Sequence, residues 1–328
     1  MENVRGIAHS FNKDGNKSRP VSEDIEQELA QQGYVPFHFI EDSKLWGVPQ
    51  RRLRFVLIAI RKDQFGPLFC NVTDRTQAKV LLKAGRTLMH KVKSRLETYA
   101  VSFKQEKGLS PNDNVSVGEA ISDLKTLDNS NKHRDTQPAT DSSVAGFQQI
   151  ADPFLNEKHK GAYRSLMSEH YNDLLPNGGL RLPKHTDRVK SRFRKILNDI
   201  DNPQLQLKYN LGRCKALPTK YREDELWSKK HSLTVLDLEK PSITVTTLPD
   251  DILHYDEPRI LTVRELARLQ SFPDWFKFEG PYTTGGERRK KSCPKYTQVG
   301  NAVPPLMAEG IGKFIKHELW DVINRACK

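Results

Sequence analysis

The chain is poor in the features that would place it in a membrane or a secreted scaffold. No apolar stretch approaches the roughly 18 residues a membrane helix needs, which excludes a membrane partner. The opening residues, MENVRGIAHS, hold no apolar core, so no secretory signal is expected. Cysteine is scarce and scattered: Cys70, Cys214, Cys293 and Cys327 form no CxxC pair and no Cys/His pair at zinc spacing. A disulfide framework and a structural metal site are therefore not expected, and a reducing intracellular compartment is. There is no internal repeat. Charged residues make up 29% of the chain, little above the average of about 25%, so a globular chain is expected rather than a disordered one. Its 328 residues suggest about two domains.

Acidic residues are also in deficit, 41 against 53 Lys and Arg, for a net charge of +12. The surplus is local. Residues 181–230 carry a net +8 and residues 281–296 a net +4, so the remainder sums to zero. Two basic clusters in a neutral chain point to a polyanion. Within the first, Val189, Phe193, Ile196 and Leu197 share one helical face. Arg188, Arg192 and Lys195 share another, which suits phosphate contact or a plain solvated surface.

Regular elements are legible at both ends. Residues 21–32 predict a helix with an acidic start and Gly33 as its stop. FVLIAI (55–60) predicts a strand buried on both faces, as in a parallel α/β sheet. Ser116 and Glu119 form a capping box, as do Thr262 and Glu265 ahead of a helix ending before Pro273. Residues 128–149 read as a loop or linker. Short pieces broken by Pro and Gly follow, to about residue 240. SITVTT (242–247) is a strand candidate, and Asn301 a cap for a last helix with Pro304 and Pro305 in its first turn.

Four short motifs occur in order: Glu2-Asn3-Val4, QRRLR (50–54) before the apolar strand, RELARLQSFPDWF (264–276) and GNAVPP (300–305). Together they resemble the DNA (cytosine-5) methyltransferases. ENV alone is a weak signal; RELARLQSFPDWF with GNAVPP about thirty residues later is strong. The resemblance covers residues 1–60 and 241–315 directly, and the stretch between by position only. It implies an α/β fold: an incomplete, Rossmann-like sheet domain with a second, irregular DNA target-recognition lobe. Residues 1–62 would belong to the catalytic domain, 63–240 to target recognition with a linker near 128–149, and 241–328 would return to the catalytic domain.

The resemblance also assigns roles. Such enzymes flip a cytosine out of duplex DNA. A cysteine thiolate adds to C6, and C5 then takes the methyl group of S-adenosylmethionine. Glu2 would hydrogen-bond the Watson–Crick edge and stabilise the developing ring charge, with Asn3 holding the loop. Arg52 and Arg54, two residues apart on an extended segment with Gln50, would hold the flipped nucleotide's phosphate and carbonyl oxygen. Arg51 would face the other way. Arg264, Glu265 and Arg268 would be a supporting polar network. Asn301 and Val303 would lie near the cofactor pocket.

Two family features are missing from these residues: an FxGxG cofactor loop and a Pro-Cys nucleophile. No cysteine follows a proline, and none precedes Glu2. The expectation is the C-terminal portion of a cytoplasmic, prokaryotic-type restriction–modification methyltransferase. It would be inactive alone and complemented by a subunit or N-terminal half carrying the cofactor loop and the cysteine. The alternative is a DNA-binding module or inactive remnant.

Overall fold

The computed structural model describes residues 1–10, 12–13, 16–69, 74–127, 132–151, 161–169, 178–227, 233–283 and 292–326. The principal elements in chain order are β1 (Glu2–Val4), α1 (Val21–Gln31), β2 (Tyr34–Asp42), β3 (Leu53–Arg61), α2 (Asp74–Glu106), α3 (Val117–Ile121), β4 (Thr136–Pro138), β5 (Gln148–Ile150), α4 (Asp187–Ile200), α5 (Val263–Leu269), α6 (Lys295–Asn301), α7 (Pro305–His317) and α8 (Leu319–Ala326). They form two compact units. The first comprises Met1–Trp46, Arg52–Glu106 and Met307–Lys328; the second comprises Gly47–Arg51 and Lys107–Leu306. The compact units thus break elsewhere than at 62 and 240. Helix α2 sides with the first unit because it packs on α1 and β2, and α5 sides with the second because it packs on α3 and α6.

The first unit is built on a three-stranded sheet of order β1-β3-β2. The apolar run 55–60 lies in its central strand, but both pairings are antiparallel, contrary to the parallel sheet expected. The short link from β2 to β3 explains this, because only antiparallel neighbours can be joined without a long crossover. Phe55, Val56 and Leu57 are buried, while Ile58 and Ala59 are half-buried. Helix α1 ends at Gln31, and the chain turns away at Gly33, whose φ of 85° is the left-handed conformation that glycine adopts without strain. Behind the sheet, the carboxylate of Glu41 is fully buried. It accepts from Trp46 Nε1 at 2.9 Å and from Lys93 of α2. Burial raises its pKa against the pull of Lys93. Gly310 of α7 touches the Trp46 ring so closely that a Cβ would lie 2.2 Å from it.

The second unit has little sheet. Both capping boxes are present: Ser116 with Glu119, and Thr262 with Glu265. Of the stretch expected as a linker, residues 128–131 lie outside the described residues. The rest folds as a hairpin, β4 with β5, in which Ala139 N–H also donates to Phe147 O at 3.0 Å. Its polar composition hid this, because the hairpin is held by backbone bonds and tied to its surroundings by a half-buried acid, Asp141. SITVTT makes only an isolated bridge, Gln50 with Ser242, and is otherwise irregular. Asn301 ends α6 rather than capping the next helix, which begins at Pro305. Gly300 is required locally, since a Cβ there would lie 2.3 Å from the Thr246 carbonyl oxygen.

Candidate functional site

In the first unit, antiparallel pairing of β1 with β3 sets Val4 opposite Arg54 and Glu2 opposite Val56. The terminal ammonium of Met1 donates to Leu57 O at 2.9 Å and extends the ladder. Asn3 Oδ1 accepts from Val4 N–H at 2.7 Å and stiffens the turn that follows. Glu2 Oε1 then lies 2.8 Å from Arg54 Nε, and Arg54 Nη1 donates to Leu53 O at 2.9 Å. Arg52 is 2% exposed, and its backbone N–H donates to Asp42 Oδ1 at 3.1 Å.

The electrostatics of this cluster are unbalanced. Burial pushes the Arg52 pKa down to about 9; the neighbouring Arg54 pushes the same way and Glu2 opposes. Burial also lowers Arg54, again against Glu2. Two buried guanidiniums thus share the field of the Glu2 carboxylate. An anion or carbonyl oxygen arriving beside them would offset the cost of burial and the repulsion between them. Arg51 is exposed, in keeping with the alternation expected of an extended segment.

Gln50 does not join them. It belongs to the second unit and is fully buried. Its Nε2 donates to Leu269 O and Gln270 Oε1, both at 3.1 Å, and its Oε1 accepts from Val245 N–H at 2.8 Å. Gln50 is an internal cross-link here, not the DNA contact expected. Asn301 is exposed and Val303 half-buried, both in the second unit.

The network expected around α5 is present and buried. Arg268 Nη1 reaches Asp123, and Nε and Nη2 reach both oxygens of Asp274 at 2.9 and 2.8 Å. Arg259 donates twice to Glu265 at 2.7 and 2.8 Å, and to Glu257 at 2.5 Å. Arg264 donates to the carbonyls of Gly178, Pro273 and Phe276.

The first basic segment lines a cavity of about 900 Å³ in the second unit; Arg288, Arg289, Lys290 and Lys291 of the second cluster lie outside the described residues. Segment 181–230 contributes Arg181, Lys184, His185 and Arg192; segment 281–296 contributes Pro281, Tyr282 and Tyr296. Arg188 is exposed on α4. Lys195 is neutralised: it contacts Asp199 at 2.6 Å and Glu225 at 3.2 Å, and the bond to Asp199 raises its pKa. At the cavity's edge, Asp141 accepts from Gly179 N–H at 2.9 Å, Tyr282 Oη at 2.5 Å and Lys295 Nζ at 2.6 Å. Burial favours its neutral form, but these donors prevail and hold its pKa below the ordinary carboxylate range. Arg181 and Asp141 were not singled out from sequence. The signal for Arg181 was its place in the basic stretch 181–230; Asp141 carried none.

The family model for C-5 cytosine-specific DNA methylases matches residues 1–317. The type II methyltransferase M.AquIB of Picosynechococcus sp. is 48% identical over 92 residues, 27% of this chain and 66% of that protein. The type II methyltransferase M.XorII of Xanthomonas oryzae pv. oryzae is 24% identical over 318 residues, 95% of this chain and 56% of that protein. A crystal structure of a putative DNA modification methyltransferase encoded within an E. coli prophage matches with TM-score 0.48 and 20% identity, over 97% of this chain and 68% of that one. The chain therefore spans about two thirds or less of the length of these curated relatives.

Proposed function

This chain belongs to the C-5 cytosine-specific DNA methylase family, and we propose that it supplies the base-capturing and DNA-binding part of cytosine C5 methyl transfer in a restriction–modification system. The nucleophilic cysteine and most of the cofactor site would come from residues beyond these 328, in a longer chain or a complementary subunit. The observation that carries this reading is the Glu2, Arg52 and Arg54 cluster, where buried positive charge exceeds the carboxylate beside it.

In this reading Arg54 orients Glu2. The carboxyl group meets the Watson–Crick edge of a flipped cytosine, selects it by its exocyclic amino group, and stabilises charge developing towards N3. Arg52 and Arg54 hold a phosphate or carbonyl oxygen of the same nucleotide, and Asn3 fixes the loop that presents Glu2. DNA recognition falls to the stretch 63–240, with duplex DNA as the partner.

S-adenosylmethionine, the methyl donor used generally in this family, supplies the transferred group. The residues present do not fit a whole cofactor cradle. Asn301 is exposed at a helix end and Val303 is half-buried in a connecting stretch. Gly178 and Gly179 are backed by Asp141 and Arg264 rather than by open space. Asn301 and Val303 would line one edge of the site, and no step is assigned to them.

The test is methyl transfer from labelled S-adenosylmethionine to duplex DNA. The chain alone should incorporate no label. Mixed with a fragment carrying an FxGxG loop and a Pro-Cys nucleophile, it should methylate cytosine at C5. Glu2→Gln should reduce the mixture's rate by about 10²–10⁴-fold, the usual worth of a positioned acid. Incorporation by the chain alone would sink the proposal. DNA binding without incorporation in the mixture would favour a DNA-binding module or inactive remnant.

A further inference from the structure

The lining of the second unit's cavity is mixed: besides the acids Asp141 and Asp250, it has an apolar and a cationic part. Its floor is apolar, with Phe193, Leu233 and Ile260, and its rim carries Lys184 and Arg192. Neither rim cation makes a hydrogen bond or ion pair with another described residue. A simple phosphate site has no use for an apolar floor. A hydrophobic ligand has no use for the cations. A nucleotide uses both, a planar ring inside and a phosphate at the rim.

Arg181 adds direction. Its guanidinium carbon lies 3.9 Å from the centroid of the Phe147 ring and 4.1 Å from that of Tyr282. Nη1 donates to Ser142 Oγ at 3.2 Å, and Nη2 donates to Tyr282 O at 3.4 Å. The rings and these two bonds fix the group and leave three of the five guanidinium N–H donors uncommitted among the described residues. A fixed, donor-only fork matches two adjacent acceptors in one plane. Among the bases, guanine offers that pair at O6 and N7.

We propose that this cavity holds one unstacked guanine nucleotide of the DNA, a nucleotide distinct from the cytosine to be methylated. Arg181 donates to O6 and N7, the base rests on the apolar floor, and Lys184 and Arg192 take the flanking phosphate. The proposal rests on DNA being the substrate. It does not depend on the cofactor or on any complementing fragment.

The experiment is equilibrium binding of this chain, without cofactor, to duplexes that are fully paired or carry one bulged dG or one bulged dA. An already unstacked base spares the energy of extrusion, so the bulged dG duplex should bind roughly tenfold or more tighter than the paired one. It should also bind tighter than the bulged dA duplex. Arg181→Ala should erase the dG-over-dA preference, a loss of about 5- to 150-fold. Arg181→Lys keeps the charge and the stem, guards against a folding defect, and should not restore the preference, because the fork is gone. Arg192→Ala should weaken all three duplexes and lower the salt slope by about 0.9. Equal binding of paired and bulged duplexes would overturn the proposal while leaving the methyltransferase reading intact. So would a dG preference that survives in Arg181→Lys. Failure of the parent to bind any duplex would overturn this proposal and the DNA-binding part of that reading together.

Discussion

Buried arginines in the two units stand in opposite electrostatic situations. In the second unit, Arg268 is sealed from solvent and flanked by the carboxylates of Asp123 and Asp274. Burial works against its charge, yet the two acids hold its pKa above the ordinary arginine range. In the first unit, Arg52 and Arg54 stand together beside the Glu2 carboxylate, and burial takes both below that range. Two acids around one base make a closed structural joint. Two bases that repel each other beside a half-buried acid make a different kind of cluster. Charge balance therefore distinguishes the two clusters where burial alone would not.

The contrast is broken most forcefully at Arg268. Arg268→Met should strand two buried carboxylates and destabilise the second unit by about 3–5 kcal/mol. Arg268→Lys should recover little, because an ammonium cannot reach Asp123 and both oxygens of Asp274 at once. Denaturant unfolding followed by circular dichroism measures both variants. A small loss in either would mean that the joint is not structural.

Arg52 should behave in the reverse way. Replacing a buried charge that burial and a like-charged neighbour both oppose by an apolar side chain of similar length is often neutral or stabilising. Arg52→Met is expected to leave the unfolding midpoint unchanged or raised. It should slow methyl transfer by the complemented enzyme about 10²-fold, the scale for losing one preorganised electrostatic contact. A variant as unstable as Arg268→Met, or one with full activity, would erase the distinction between the two clusters.

Asp141 sharpens the comparison with pH. Its folded pKa lies below the ordinary carboxylate value, so its contribution is present above that ordinary value and is lost as pH falls through the depressed one. Asp141→Asn should be less stable at neutral pH by about 1.5–3 kcal/mol, the worth of hydrogen bonds to a charged group. The gap between parent and variant should close as the solution is acidified below about pH 4. Unfolding midpoints across an acid titration test this, and a gap independent of pH would rule out ionisation as the source.

Local rules carried furthest where the interaction was local. Both capping boxes, the first helix and the central position of FVLIAI follow from residues a few positions apart. The antiparallel sheet, the hairpin at 136–150 and the break of the units at 106 and 306 depend on long-range packing that no short window encodes. The site shows the same split. Motif and alternation put Glu2, Arg52 and Arg54 forward as candidates, and the structure sets Glu2 beside Arg54 with Arg52 in the same electrostatic cluster. Gln50 has the same motif and the same spacing, but it is consumed by three bonds from segments about 200 positions away. The basic clusters were legible as charge but not as a shape, because a cavity wall is assembled from residues a hundred positions apart.

The smallest expected effect separates two cations of one helix. Arg192 and Lys195 share a helical face in the sequence and would be equal partners for a phosphate. The structure divides them: Arg192 lines the cavity, whereas Lys195 is bridged to Asp199 and Glu225. A cation already paired releases few counterions when DNA binds, since any phosphate must first displace its carboxylates. Lys195→Ala should therefore leave the salt dependence of DNA binding unchanged. It should shift stability by less than about 1 kcal/mol, as expected of a partly exposed ion pair. Arg192→Ala, measured side by side, should lower the slope of log affinity against log salt by about 0.9. Equal slopes for the two variants would show that the carboxylates around Lys195 yield to DNA, and that the basic face of α4 acts as a whole.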